Sequence, residues 1–379
     1  MSGSTDTNVA FPSTRVGGVV LRNPVMNAAG TAGFGDELAA YVDMTQLGAF
    51  VVKSLASYEW DGNPAPRVHP TPMGMINAVG LQGPGVAAWI AESLPRLERA
   101  GATVVVSIWG RRTEEFADVA RMLAPVASRI AAVEVNLSCP NLDHGRDMFA
   151  HDPVLAADVI VAVRPCLDVP LWAKLSPNTH RIVDVAAAVT AAGAAALVVA
   201  NTFLGLVIDV DTGRAALGNG GGGVSGRAIH PLALRCVYDV RAALPDVDIV
   251  GAGGIATGRD ALAMMMAGAN AVQVGTAHFA DPRAAVHVVD GLLDEMRRRN
   301  LSSWGDVISS AHRLRVATGP HVVVITRIGA CRCARRSSRI CAACVRHAKT
   351  SLPGLLPVPS PLPTRSLLRP LVATWRRVT

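Results

Sequence analysis

A thiol lies between two carboxamides in Asn136-Leu-Ser-Cys-Pro-Asn141. The motif ends a stretch in which Val133 and Val135 alternate with Glu134, the period of a strand. Pro140 stops the ladder and fixes a turn. Small buried thiols are the commoner use of cysteine, but Pro and Asn directly after Cys139 favour a loop over a core position. A cysteine at the mouth of a strand can move a proton. Asn136 and Asn141 offer neutral donors and acceptors suited to a flat polar ring. Lysine gives a second signal. The chain has three, Lys53, Lys174 and Lys349, against 33 arginines. Lys53 and Lys174 fall towards the ends of apolar strands, where a compact point charge on a flexible stem does what arginine does not. Glycine gives a third. Gly222-Gly-Val-Ser-Gly226, Gly253-Gly254 and Gly275-Thr276 each stand near a helix start. Backbone N–H groups there, with the helix dipole, hold an anion such as a phosphate.

The elements that must position these groups repeat. Strands are expected at 23–31, 49–55, 103–108, 133–137, 169–175, 195–200, 248–254 and 271–276. Helices are expected over 36–47, 87–100, 114–128, from Asp152-Pro153, over 182–192 and 231–244, and from Gly258 and Pro282. Residues 203–230 break the rhythm with many glycines. Eight strand–helix units over about 300 residues are the pattern of an α/β fold, a (β/α)8 TIM barrel. A doubly wound sheet would carry its Gly-rich turn after the first strand, whereas these glycines follow the last ones. Barrel enzymes work at the C-terminal ends of their strands, and those ends read Thr31, Lys53, Ser107, Asn136, Lys174, Asn201, Gly253-Gly254 and Gly275-Thr276. A phosphate site after the late strands, beside two lysines and a cysteine, suggests flavin mononucleotide (FMN).

Asn136-Leu-Ser-Cys-Pro-Asn141, Ala173-Lys-Leu-Ser-Pro-Asn178, Ala200-Asn-Thr202, Gly222-Gly-Val-Ser-Gly226 and Val250-Gly-Ala-Gly-Gly-Ile255 together resemble dihydroorotate dehydrogenase, a flavoenzyme family of pyrimidine biosynthesis, over about residues 14–312. Cys139 is similar to the soluble class 1; class 2 carries Ser there and a membrane anchor. Asn77-Ala-Val-Gly-Leu-Gln-Gly-Pro-Gly85 is similar to class 1B, except that Gly83 stands where Asn is usual. The resemblance implies oxidation of dihydroorotate to orotate with hydride transfer to FMN, and Cys139 as general base. It implies a substrate site of Lys53, Asn77, Ala78, Val79, Gly80, Leu81, Asn136, Asn141, Asn201 and Thr202. It implies an FMN site of Ala29, Gly30, Lys53, Ser54, Asn136, Lys174, Ala200, Ser225, Gly226, Gly253, Gly254, Gly275 and Thr276. It also implies a homodimer within a heterotetramer whose other subunit carries FAD and an iron–sulfur cluster and passes electrons to NAD.

Composition bounds the alternatives. Of the 36 Lys+Arg, 13 lie in residues 313–379 with no Asp or Glu, which leaves residues 1–312 with 23 basic and 29 acidic side chains. The body therefore has no nucleic-acid footprint, which opposes a flavin-dependent tRNA reductase. A module acting on another pyrimidine, like dihydropyrimidine dehydrogenase, has a similar loop. No apolar run reaches the ~20 residues of a membrane span, and no signal peptide is read at the N-terminus. Seven scattered cysteines suit a reducing cytoplasm. His69, His144, His151 and His230 share no metal-ligand spacing, and Cys166 and Cys236 read as packing residues. Two domains are expected: the barrel over 1–312, and a basic, Cys/Pro/Arg-rich, disordered tail over 313–379. Within the tail, Cys331, Cys333, Cys341, Cys344 and His347 have zinc-like spacing, although the family has no such module. A zinc or nucleic-acid binding protein built on that tail is the non-catalytic alternative.

Overall fold

The structure is a computed structural model that describes residues 12–139 and 148–313. Eight parallel strands form one sheet: β1 (Val25–Asn27), β2 (Phe50–Leu55), β3 (Val104–Ile108), β4 (Ala132–Asn136), β5 (Leu171–Lys174), β6 (Ala196–Val199), β7 (Ile249–Ala252) and β8 (Ala271–Val274). Each neighbour in sequence is a neighbour in space, and β8 pairs with β1. The β1–β2 seam closes through a bridge between Met26 and Ala49 and a bond from Gly48 N to Val25 O. The Asn27 carboxamide finishes it, donating to Val51 O (2.8 Å) and accepting from Val51 N (2.9 Å). The sheet is thus a nearly closed barrel of the expected kind.

Both faces of a barrel strand are buried, so its apolar residues run on without a polar face. Val25, Phe50, Val52, Val104, Val133 and Val135 pack outward against the helices. Met26, Val51, Val105, Trp172, Val198 and Val250 fill the interior. A hairpin of Thr14–Val16 and Val19–Leu21 adds Val16, Val19 and Leu21 to this inner cluster. Its turn at Gly17 (φ +52°) comes so close that a Cβ would lie 2.7 Å from Ala196 Cβ. Towards the C-terminal ends of the strands the inward positions become polar: Lys53, Ser107, Glu134, Asn136, Lys174 and Gln273.

The helices over Thr113–Leu123, Pro153–Val163, Ile182–Ala191, His230–Ala243 and Gly258–Ala267 agree with expectation. Asp152 caps its helix by accepting from Val154 N and Leu155 N, with Pro153 at the first helical position. The expected helix over 36–47 is instead two 3-10 turns, Glu37–Ala40 and Met44–Gln46. Asp43 accepts from both the N and the Oγ1 of Thr45, a local bond that competes with helix continuation. The helix expected from Pro282 begins instead at Ala284, after a short one over Ala277–Ala280. The glycine-rich interruption is ordered as strand. Phe203–Gly205 and Gly222–Gly226 join Gly74–Asn77 and Val68–Thr71 in a four-stranded antiparallel sheet. Glycine strands carry no side-chain alternation, so periodicity misses them. The tail, with Cys331, Cys333, Cys341, Cys344, His347 and Lys349, lies outside the described residues.

Candidate active site

The barrel and the four-stranded sheet enclose a cavity of about 740 Å³ over the polar strand ends. Its floor is built on β4, β5 and β8. Glu134 lies between Val133 and Val135, so strand alternation sends its carboxylate into the barrel while the valines face the helices. Glu134 Oε1 is 3.1 Å from Lys174 Nζ, and Oε2 accepts from Gln273 Nε2 at 2.7 Å. The side chains of Glu134 and Lys174 are 0 % and 8 % exposed. Such a pair adds little net stability, yet losing one partner alone costs about 3–5 kcal/mol. Lys174 and Gln273 line the cavity floor, and Gln273 Oε1 is buried with no hydrogen-bond partner among the described residues.

A chain of polar side chains crosses one wall. Ser107 Oγ bonds Ser54 Oγ at 2.8 Å; Asn136 Nδ2 reaches Ser54 Oγ at 3.5 Å; Asn201 Nδ2 donates to Asn136 Oδ1 at 3.2 Å. The network fixes the amide orientations, so Asn136 and Asn201 present defined faces to the cavity. Asn77 enters from the small sheet, its Nδ2 on Gly223 O at 3.3 Å. Ala78, Val79, Gly80 and Leu81 continue that wall, and Thr202 also lines the cavity. Lys53 donates to Gln82 O at 2.7 Å and stands over the Phe34 ring, 5.4 Å from its centroid. Burial, helped by the charge of Arg67, pulls its pKa down to about 8.

Ala29, Gly30 and Ala200 also line the cavity, together with Ser225, Gly226, Gly253, Gly254, Gly275 and Thr276. Ser225 and Thr276 join their hydroxyls at 2.8 Å. Gly254 (φ +69°) leaves no room for a side chain, because a Cβ would lie 2.7 Å from His230 N. Glycine there brings bare backbone to the cavity beside the helices that start at His230 and Gly258. A flat ring over Gln273 and Lys174, with an anionic end at these turns, fits what the walls offer: a free acceptor, a cation and backbone.

Cys139 is the exception. It is fully buried, and it does not line the cavity. It packs with Ala56 and Trp109, beside Tyr58, Trp60 and Leu81, and its thiol donates to Asn136 O at 3.2 Å. Burial pushes the thiol pKa up strongly; the Gly110 N–H opposes this and the Glu115 charge adds to it. Cys139 stands in the loop after β4, as expected, but in a core-like seat, because the aromatic residues around it come from the segments just after β2 and β3. Glu115 braces this seat, accepting from Tyr58 OH at 2.9 Å and Arg111 N at 2.8 Å. Asn141 lies outside the described residues. All the other expected site residues meet in the one cavity. Sequence reading missed Glu134 and Gln273, whose signal was a polar residue at an inward position of an apolar strand. It also missed Ser138, Met148 and Asn178 on the cavity wall.

These features define a (β/α)8 barrel with a cavity that can read a planar ring and an anion at the C-terminal ends of its strands. A family model for dihydroorotate dehydrogenase matches residues 12–296. The chain belongs to that family, which is flavin-dependent. It is 45 % identical to a protein of Desulforudis audaxviator over 298 residues, covering 79 % of this chain and 96 % of the relative. It is 44 % identical to one of Alkaliphilus oremlandii (77 % and 96 % covered) and 43 % to one of Geotalea uraniireducens (79 % and 97 %). Each relative is named dihydroorotate dehydrogenase B (NAD(+)), catalytic subunit. Among the described residues, no helix is long and apolar enough to cross a membrane.

Proposed function

We propose that this protein oxidises dihydroorotate to orotate in the de novo route to UMP, with FMN bound in the cavity and the cytoplasm as its compartment. The observation that carries this is the meeting of three ring-reading amides, two lysines and the glycine turns in one cavity. Ser225, Gly226, Gly253, Gly254, Gly275 and Thr276 would hold the phosphate, and Ala29, Gly30, Ser54, Asn136, Lys174 and Ala200 the rest of the cofactor. The chemistry a bound FMN supplies is an acceptor for the hydride from C6 of dihydroorotate. Asn77, Asn136, Asn141, Asn201 and Thr202 orient the substrate through its amides and carboxylate, with residues 78–81 packed around it. Lys53 places a cation between substrate and cofactor.

Cys139, as thiolate, takes the proton from C5, which leaves the C5–C6 double bond of orotate. This role requires the side chain to turn from its aromatic seat into the cavity, since burial in that seat holds the proton on sulfur. Backbone bonds from Phe149 N to Cys139 O and from Ala150 N to Leu137 O join the two flanks of the loop between them. These bonds hold the backbone of Cys139 itself, so the turn is one of its side chain.

The names of the relatives support NAD⁺ as the final acceptor and a further subunit beside the catalytic one. In this proposal that subunit carries FAD and an iron–sulfur cluster, in a heterotetramer around a homodimer of this chain. The basic segment 313–379 is a separate region not needed for the chemistry. The test is anaerobic mixing of the flavin-loaded protein with dihydroorotate and, separately, dihydrouracil. Bleaching by dihydroorotate alone is expected; bleaching by dihydrouracil alone would move the assignment to another pyrimidine.

A further inference from the structure

We propose that Glu134 is a positioning residue that sets the electron affinity of the bound flavin, by offsetting the charge of Lys174 and fixing the orientation of the Gln273 amide. The inference rests on the flavin reading of the cavity. Glu134 is fully buried and does not line the cavity, so it acts only through the two groups it holds. Register puts it one step below them: Glu134 pairs with Trp172, while Asn136 pairs with Lys174 at the floor. Its register partner on β3 is Ser107, and the other inward residues around it are apolar, Val105, Trp172, Val198 and Val250 among them. Among the described residues, no Asp or Glu lines the cavity. Glu134 is thus the negative charge nearest the floor, in surroundings that screen it poorly.

Apolar residues in place of both Glu134 and Lys174 would fill this space at little cost, because buried ion pairs are seldom worth more to stability than the packing that could replace them. What the carboxylate adds is electrical. Lys174 alone would hold a full positive charge beside the ring and favour its negatively charged reduced form. With Glu134 3.1 Å behind it, the floor becomes a dipole whose positive end faces the cavity. The same carboxylate can only accept, so it holds the Nε2 side of Gln273 and leaves Oε1 as a buried, unpartnered acceptor of a residue that lines the cavity.

The test uses the full-length, flavin-loaded chain and a redox-dye titration, which gives the ratio of affinities for reduced over oxidised flavin. Glu134→Gln keeps the shape and removes the charge, and should raise that ratio by about tenfold or more at mildly acidic pH, as expected of an uncompensated charge at close range. Glu134→Asp keeps the charge and should stay near the parent. E134Q/K174M removes both charges from the barrel interior and should fall to the parent ratio or below. An unchanged ratio in a folded, loaded E134Q overturns the proposal. So does a double variant with a higher ratio than the parent, a result that decides the matter even where E134Q does not fold. Failure of the parent itself to bind flavin is a separate result, and removes the flavin reading rather than the role of Glu134.

Discussion

At the scale of single residues, the site depends on where two protons reside. Burial in its aromatic seat favours the protonated form of Cys139, so the proposed role as base belongs to a turned-in position. Cys139→Ala should still bind flavin, and its reduction by dihydroorotate should slow by about 10²–10⁴-fold, the usual worth of a general base. Stopped-flow single turnovers measure this, and a near-normal rate would remove Cys139 from the mechanism. Lys53 has its pKa lowered to about 8, by burial first and Arg67 second. Its cation is present below that pH and lost above it, so KM for the anionic substrate should rise as pH passes through about 8. Lys53→Met should show a high KM with no such step. The sign for stability follows from the same shift. Between about 8 and the ordinary lysine value the unfolded chain binds more protons, so raising pH through that window favours the fold.

At the scale of elements, closure of the barrel is concentrated at the short seam between β1 and β2. The Asn27 carboxamide satisfies both Val51 N and Val51 O in a buried position. Asn27→Leu has similar bulk but leaves both groups unpaired, at about 1–3 kcal/mol each. Urea unfolding should show a loss of about 2–5 kcal/mol. A loss below ~0.5 kcal/mol, the range of neutral surface changes, would mean that the seam is held by other contacts. The seam matters for function because β2 carries Lys53 and Ser54, while the chain just after β1 carries Ala29 and Gly30.

At the scale of the whole molecule, the proposed reading fills the cavity with one flavin and one substrate ring, and gives the glycine turns of the barrel to the flavin phosphate. The protein alone should therefore reduce artificial dyes with dihydroorotate but not NAD⁺, and adding the proposed iron–sulfur, FAD-bearing subunit should restore NAD⁺ reduction. Rapid turnover of the chain alone with fumarate would show that no partner is needed. NAD⁺ reduction by the chain alone would reveal a second dinucleotide site. A chain shortened to end at Arg313 should keep flavin and turnover. The cut spares His312, which stacks on Tyr238 with centroids 4.0 Å apart and meets Ala267 O at 2.9 Å.

The amino-acid sequence by itself determined the order of eight strand–helix units, the lysines at two strand ends, the amides around residue 136 and the late glycine turns. Each of these is a local signal, carried by periodicity, rare residue types or residues that permit one backbone path. The helix expected over 36–47 failed because a side-chain bond of Asp43 outweighed the apolar pattern. The strand over Gly222–Gly226 was hidden because glycine has no side chain to alternate. Only the tertiary structure decided that Glu134, Lys174 and Gln273 meet, since their bonds span 40 and 139 residues and exist only once the barrel closes. It also decided the seat of Cys139 among Ala56, Trp109 and Tyr58, and the low proton affinity of Lys53. Burial and the approach of distant charges set those properties, and neither is a function of the neighbouring residues in the chain.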